Sequence, residues 1–126
     1  MRNFIITLVV LYVGVTQLIK YLNSPSFDKY ADEQKPVWVC QFTNAVGEYE
    51  IIMSRYEDGI PYFEKTVRRC PKTEYSEVAE FKIAVCKELS GKVAEALVLY
   101  DAFAEKFPNS PRARLAARAS QNIRLH

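Results

Sequence analysis

The sequence predicts an all-α protein in three parts. These are a single transmembrane helix over residues 1–22, a linker over 23–35, and a domain of stacked helical hairpins over 36–126, made of two hairpins and a closing helix. Three observations predict it. Phe4 to Ile19 is an almost unbroken apolar run. Beyond Pro36, apolar residues recur at three and four positions, the helical period. Finally, one spacing occurs twice: a small residue, twelve positions to a second small residue, four to an aromatic, eight to a proline. It reads Gly47, Gly59, Phe63, Pro71, and again, offset by 37 residues, Ala84, Ala96, Tyr100, Pro108. Self-similarity at a fixed period of this size marks helical hairpins stacked on one another.

The apolar run, flanked by Arg2 and Lys20 and taken to Leu22, forms a helix of about 28 Å, enough for a bilayer core of about 30 Å. No small-x-small cleavage site follows it, and the first cysteine, Cys40, is too distant for lipid attachment. An uncleaved anchor is therefore expected. Asn3, Thr7, Val10, Gly14, Gln17 and Tyr21 fall on one stripe of that helix. Small and polar side chains allow membrane helices to approach and hydrogen-bond, so the stripe is a candidate contact with another membrane helix; a lone anchor in lipid is the alternative. Arg2 ahead of the run favours an N-terminus in the cytoplasm, with the domain in a periplasm-like, extracytoplasmic space.

In the linker, Ser24-Pro25 suits an N-cap and first helical turn, giving a short helix or an extended spacer. Phe27 and Tyr30 either sit at the membrane interface or pack on the first hairpin. Pro36 opens a helix running to about Tyr56, with Val39, Phe42, Val46, Tyr49 and Met53 inward and Trp38 over one end of the core. A second helix runs from about Gly59 to Cys70, with Ile60, Phe63 and Val67 inside, stopped by Pro71. Thr73 caps a third, Glu74 to about Leu89, on which Val78, Phe81, Val85 and Leu89 share one face and Ala79, Ile83 and Cys86 the next. Ser90-Gly91-Lys92 is a turn. Val93 to Phe107 follows, with Ala96, Leu97, Tyr100, Phe103 and Phe107 inward. Pro108-Asn109-Ser110-Pro111 stops it and starts Arg112 to Leu125, with Leu115, Ala116, Ala119 and Ile123 on one side. The repeated small residues are expected where the two helices of a hairpin come closest, and the aromatic fills the space between hairpins.

This spacing resembles the tetratricopeptide repeat, with Val46-Gly47 and Ile83-Ala84 at the family's Leu-Gly pair. LSGKVAEALVLYDAFAEKFPNSPRARLA is similar to repeats of bacterial envelope proteins. The period is 37 rather than 34, Glu50 and Lys87 replace a tyrosine of the first helix, and Gly59 stands where alanine is usual. The resemblance implies a tetratricopeptide-like fold over 36–126. It also implies a concave groove lined by Gln41, Asn44 and Glu48, by Val78, Phe81, Val85 and Glu88, and by Leu115, Arg118 and Asn122. Such a groove would hold a peptide or helix of a partner; burial of Phe81 and Val85 against the neighbouring hairpin is the competing account. Two repeats are fewer than the usual three, so the anchor, linker or a partner is expected to help cover the exposed end.

A net charge of +2 gives no argument for nucleic acid. From Pro108 onward there are Arg112, Arg114, Arg118 and Arg124 and no acid. These either meet an acidic partner or lipid head groups or, the reading preferred, suit the partial negative charge of a helix C-terminus. Three cysteines form no disulfide framework and no metal motif. Cys40 and Cys70 lie about level across the first hairpin and could bridge outside the cytoplasm, but three buried thiols is the expectation taken. The only histidine is His126, and no nucleophile–base pair, phosphate loop, cofactor motif or metal-ligand spacing is present. The expected function is a membrane-anchored scaffold without enzymatic activity, an accessory subunit docked on an integral membrane protein complex. The alternative is an adaptor or receptor for peptides or client proteins in secretion, import or envelope assembly.

Overall fold

The structure, a computed structural model, describes residues 1–34 and 37–126. The described residues hold α-helices and no strand. The chain divides into two compact units, Met1–Lys35 and Pro36–His126.

In the first unit, α1 spans Arg2–Leu22 and α2 spans Pro25–Gln34. No residue of α1 is buried. Its threonines bond their own helix: Thr7 donates to the Asn3 carbonyl and Thr16 to the Val13 carbonyl, both at 2.8 Å. That satisfaction within the helix is what an apolar solvent demands. Ser24 stops α1 and starts α2, its hydroxyl accepting the Phe27 amide at 3.3 Å. The linker is therefore mostly helical rather than an extended spacer. Phe27 is buried, its ring 5.6 Å from Tyr21 and 6.1 Å from Tyr30.

The second unit holds α3 (Val37–Ile52), α4 (Tyr56–Arg69), α5 (Glu74–Leu89), α6 (Val93–Lys106) and α7 (Pro111–Leu125). The expected role of Pro36 in a first turn lies outside the described residues. The repeat read from side chains recurs in the backbone. α5 begins and ends 37 residues after α3, α6 does the same after α4, and α7 starts 37 residues after α5. The N-caps Arg55 and Lys92 share ψ of 61° and 62°, and the C-caps Cys70 and Phe107 share φ of −124°. Thr73 and Ser110 cap the following helices through their hydroxyls. At the turn, Ser54 takes the positive φ that Gly91 takes one repeat later. Connections this short force neighbouring helices antiparallel, and each helix from α3 to α7 packs on the next.

Small residues set the separation within a hairpin. A Cβ on Gly59 would lie 3.1 Å from the Gly47 carbonyl oxygen, and one on Gly47 would lie 2.6 Å from the Phe63 ring. Ala84 and Ala96 are fully buried in the second hairpin, in one cluster with Tyr100, Phe103 and Ala116. Phe63, Ile60, Ala79 and Cys86 form the cluster between hairpins. α5 contributes to both clusters, Ala84 to one and Ala79 and Cys86 to the other, and so joins the two hairpins.

Several expectations are corrected. α3 ends at Ile52 rather than Tyr56, and α4 starts at Tyr56 rather than Gly59, because the turn takes only Met53, Ser54 and Arg55. α3 buries Val39, Cys40, Thr43, Asn44, Val46, Gly47 and Glu50. Tyr49 and Met53 point outward and Trp38 is half exposed. The buried arc is turned by about a quarter of a turn from the expected one, since the close approach to α4 selects the small side of the helix. Leu89, expected on one face with half-buried Val78, Phe81 and Val85, is exposed. Cys40 and Cys70 form a disulfide with a Cα–Cα distance of 6.5 Å, so the expectation of three buried thiols fails for that pair and holds for Cys86.

The last helix is fastened by Asp101 of α6, which accepts from the Ser120 hydroxyl and the Arg124 guanidinium of α7. Ser120 foremost, with Arg124 adding, holds the Asp101 carboxyl below its usual range. A lowered native pKa contributes stability above the ordinary aspartate value of about 3.9, lost as pH falls through the native value. Asp101→Asn is expected to lower the urea midpoint at pH 7 and to flatten its acid limb, so that parent and variant converge below about pH 4; equal midpoints at pH 7 with an unchanged acid limb would exclude Asp101 as its source.

Candidate functional site

The residues expected to line a groove serve mostly as ties between helices. Gln41 donates to the Tyr75 hydroxyl at 2.8 Å, and buried Asn44 donates to the Tyr75 carbonyl at 3.0 Å. Both fasten α3 to the first turn of α5. Glu48 is exposed and faces Lys82 at 3.6 Å. Glu88 accepts from the Tyr100 hydroxyl at 2.9 Å, and burial foremost, then Glu88, raises the pKa of that tyrosine. Phe81 is half-buried, its ring 6.0 Å from Tyr100 and 5.5 Å from Phe103. Val78 and Val85 are half-buried as well, and Val85 packs on the same cluster as Phe81. Arg118, Leu115 and Asn122 stand exposed on α7.

The two ends of the stack differ in chemistry. On α7 the outward arc carries Arg114, Arg118, Gln121 and Asn122, all exposed, together with exposed Leu125 and, at its margin, Leu115. Gln121 occupies the register position held by Gly47 and Ala84, so a polar side chain stands where a further helix would have approached. Repeat stacks need such polar closure to stay soluble. Arg112 faces Glu77 and Arg124 faces Asp101.

The opposite end carries an apolar stripe. Trp38, Phe42, Ala45, Tyr49 and Ile52 follow steps of four, three, four and three along α3, a single helical stripe. Phe42 is half-buried and Ala45 exposed. Trp38 is 49% exposed, Tyr49 43%, Ile52 77% and the adjoining Met53 49%. Contiguous apolar surface of this kind marks interaction sites. Sequence reasoning saw part of this stripe and assigned it to the core. The missed signal was that α3 carries two apolar sides, and α4 packs on only one of them.

A cleft of about 440 Å³ opens between α4, α5 and α6. Val67, Ile83, Leu99, Ala102 and Phe103 form its floor, and Lys106 pairs with Glu80 at 2.7 Å on its rim. It lies on second helices of the hairpins rather than on the expected groove, and depends on how α4 and α6 splay over α5.

On α1, the stripe of Thr7, Val10, Gly14, Gln17 and Tyr21 is exposed, and nothing lies within 4 Å of a Cβ placed on Gly14. By length and composition α1 can cross a membrane, and a signal sequence passes the same test. With the disulfide, it marks the chain as membrane-associated or extracytoplasmic. Cys86 is buried, and that burial pushes its thiol pKa up to about 11, which makes it unreactive. Among the described residues no group of three or more His, Cys, Asp or Glu could hold a metal ion. Comparison with protein-family models, curated proteins and solved structures finds no match.

Proposed function

We propose that this is a membrane-anchored interaction protein, an accessory subunit that docks a small tetratricopeptide-like domain onto an integral membrane protein complex. The observation that carries the reading is the outward apolar stripe of α3, on which Tyr49, Ile52 and Met53 are exposed. An exposed apolar stripe on a tethered domain supports a partner held at the membrane. The repeat of helices and caps at 37 residues supports the tetratricopeptide likeness. In this reading α1 remains as a single-pass anchor, its stripe of Thr7, Gly14 and Gln17 meets a partner's membrane helix, and the domain lies in an oxidising, periplasm-like space.

Purification in mild detergent tests it. The chain is expected to co-purify stoichiometrically with a membrane complex, and Gly14→Leu to reduce that association while leaving the protein in the membrane fraction. A chain that runs alone in every mild detergent would refute the subunit reading. A second reading, an adaptor that captures peptides or client proteins, draws on the apolar cleft over Val67, Ile83 and Leu99. It differs in outcome: the chain would run alone and gain a partner only when peptide is added.

A further inference from the structure

We infer that the outward arc of α7 rests on the anionic head groups of the bilayer that α1 enters, with Arg114 and Arg118 as its phosphate-binding pair. This rests on the reading of α1 as an anchor and adds the surface against which the tethered domain lies.

Charge is unevenly divided along the domain. From Pro108 onward there are four arginines and no acid, while residues 36–107 carry twelve acids against nine bases. Helix polarity does not explain this. α7 spans Pro111–Leu125, so Arg112 and Arg114 fall in its first turn and only Arg124 in its last. A helix N-terminus carries partial positive charge, which disfavours cations there. The fold itself uses Arg112, which faces Glu77, and Arg124, which faces Asp101. Arg114 and Arg118 are exposed, and among the described residues neither has an ion-pair partner. One helical turn apart, they share a face.

The make-up of the arc favours lipid over protein. Its middle is polar, with Arg118, Gln121 and Asn122, whereas Leu115 lies at its margin and Leu125 at its end. A protein interface has the reverse order, an apolar centre depleted of charge inside a polar rim. Enclosing Arg114 and Arg118 in such a centre is unfavourable unless each meets a carboxylate. In a head-group layer each guanidinium keeps water and forks onto a phosphate. The amides find hydrogen-bond partners there, and the leucines reach the acyl boundary. The field of an anionic surface also orients this domain, drawing α7 in and pushing the acidic remainder away. Two cations alone bind such a surface weakly. The tether makes the contact intramolecular and so raises the effective concentration of the surface.

The test uses the full chain reconstituted in vesicles of phosphatidylcholine, with or without phosphatidylglycerol. An environment-sensitive dye is placed through Asn122→Cys, or as a control through Val98→Cys, exposed on α6. The native cysteines do not compete, since Cys40 and Cys70 are bonded and Cys86 is buried. With phosphatidylglycerol at low salt, the dye at 122 is expected to shift to the blue and to be quenched by a lipid carrying a head-group nitroxide. Both effects should vanish in phosphatidylcholine alone and at high salt, and the dye at 98 should show neither. Arg114→Gln with Arg118→Gln is expected to lower the docking constant about tenfold or more, equivalent to 1.4 kcal/mol. The melting temperature should hold, since both side chains are exposed. An equal response in neutral vesicles, none in anionic ones, or a response indifferent to the double substitution would overturn the inference. So would a response seen only in native membranes, which would assign the arc to an acidic protein. In all of these the chain stays with the vesicles and the anchor reading stands; a chain that leaves both kinds of vesicle overturns both.

Discussion

Replacing Cys40 and Cys70 together by alanine is expected to lower the stability of the helical domain by about 3–4 kcal/mol, the chain-entropy value for a loop of this length. The cross-link closes 30 residues of chain, from the first turn of α3 to the C-cap of α4. A domain of this size is stable by only about 5–13 kcal/mol, so the loss is a large share. In thermal terms it is a fall of roughly 15–25 °C. The bond is enclosed, with Cys40 fully buried and Cys70 nearly so, and beside it the Thr43 and Thr66 hydroxyls bond across the same pair of helices. Reductant added during unfolding should reproduce the double substitution in the parent and do nothing to the variant. Identical melting of parent with and without reductant would show that the two sulfurs are not bonded. The consequence for function is local. α3 carries the apolar face, and it packs on α4 and, through Gln41 and Asn44, on the start of α5. A protein made where thiols stay reduced would present that face on a loosened helix.

The helices were legible because each carries its own punctuation. Ser24, Thr73, Ser110, Pro71 and Pro108 bound their segments by local chemistry that needs no tertiary information, and α5 and α7 fall within a residue of where those signals place them. The close approach of Gly47 to Gly59 was legible for a related reason: only a tight contact explains small residues repeated at fixed spacing. Which side of α3 faces inward was not legible. Its large apolar residues point one way and its small and polar ones another, and packing chose the small side, where Gly47, Thr43 and Cys40 let α4 come near. The disulfide was half legible, since equal distances from a turn bring two cysteines level, yet whether their side chains meet depends on that same rotation. The groove residues Gln41, Asn44 and Glu88 rest on analogy of position alone. Their hydrogen bonds to Tyr75 and Tyr100 follow from the tilt of α3 and α5, which no spacing encodes.

Gly47→Val is expected to cost about 3 kcal/mol, at the upper end of what overpacking does. The first carbon added would sit 2.6, 2.7 and 2.9 Å from three atoms of the Phe63 ring, nearer than non-bonded carbons approach. That ring is fully buried in one cluster with Ile60, Ala79 and Cys86, so it has nowhere to turn. Helix propensity works the other way, since glycine is the poorer helix former by up to about 1 kcal/mol; alanine adds the same first carbon, so Gly47→Ala is also expected to destabilise, by less than valine. A second change separates clash from other causes. Phe63→Leu added to the Gly47→Val variant removes the ring atoms that collide and is expected to recover at least about 1 kcal/mol relative to the sum of the single effects. At Gly59 the nearest atom is the Gly47 backbone oxygen at 3.1 Å, which no side-chain change can move. Gly59→Val should thus be equally harmful and not rescued by Phe63→Leu. If Gly47→Val melts with the parent, α3 and α4 are further apart than this geometry holds them. The outer face of α3, whose tilt that separation sets, would then be oriented differently towards any partner.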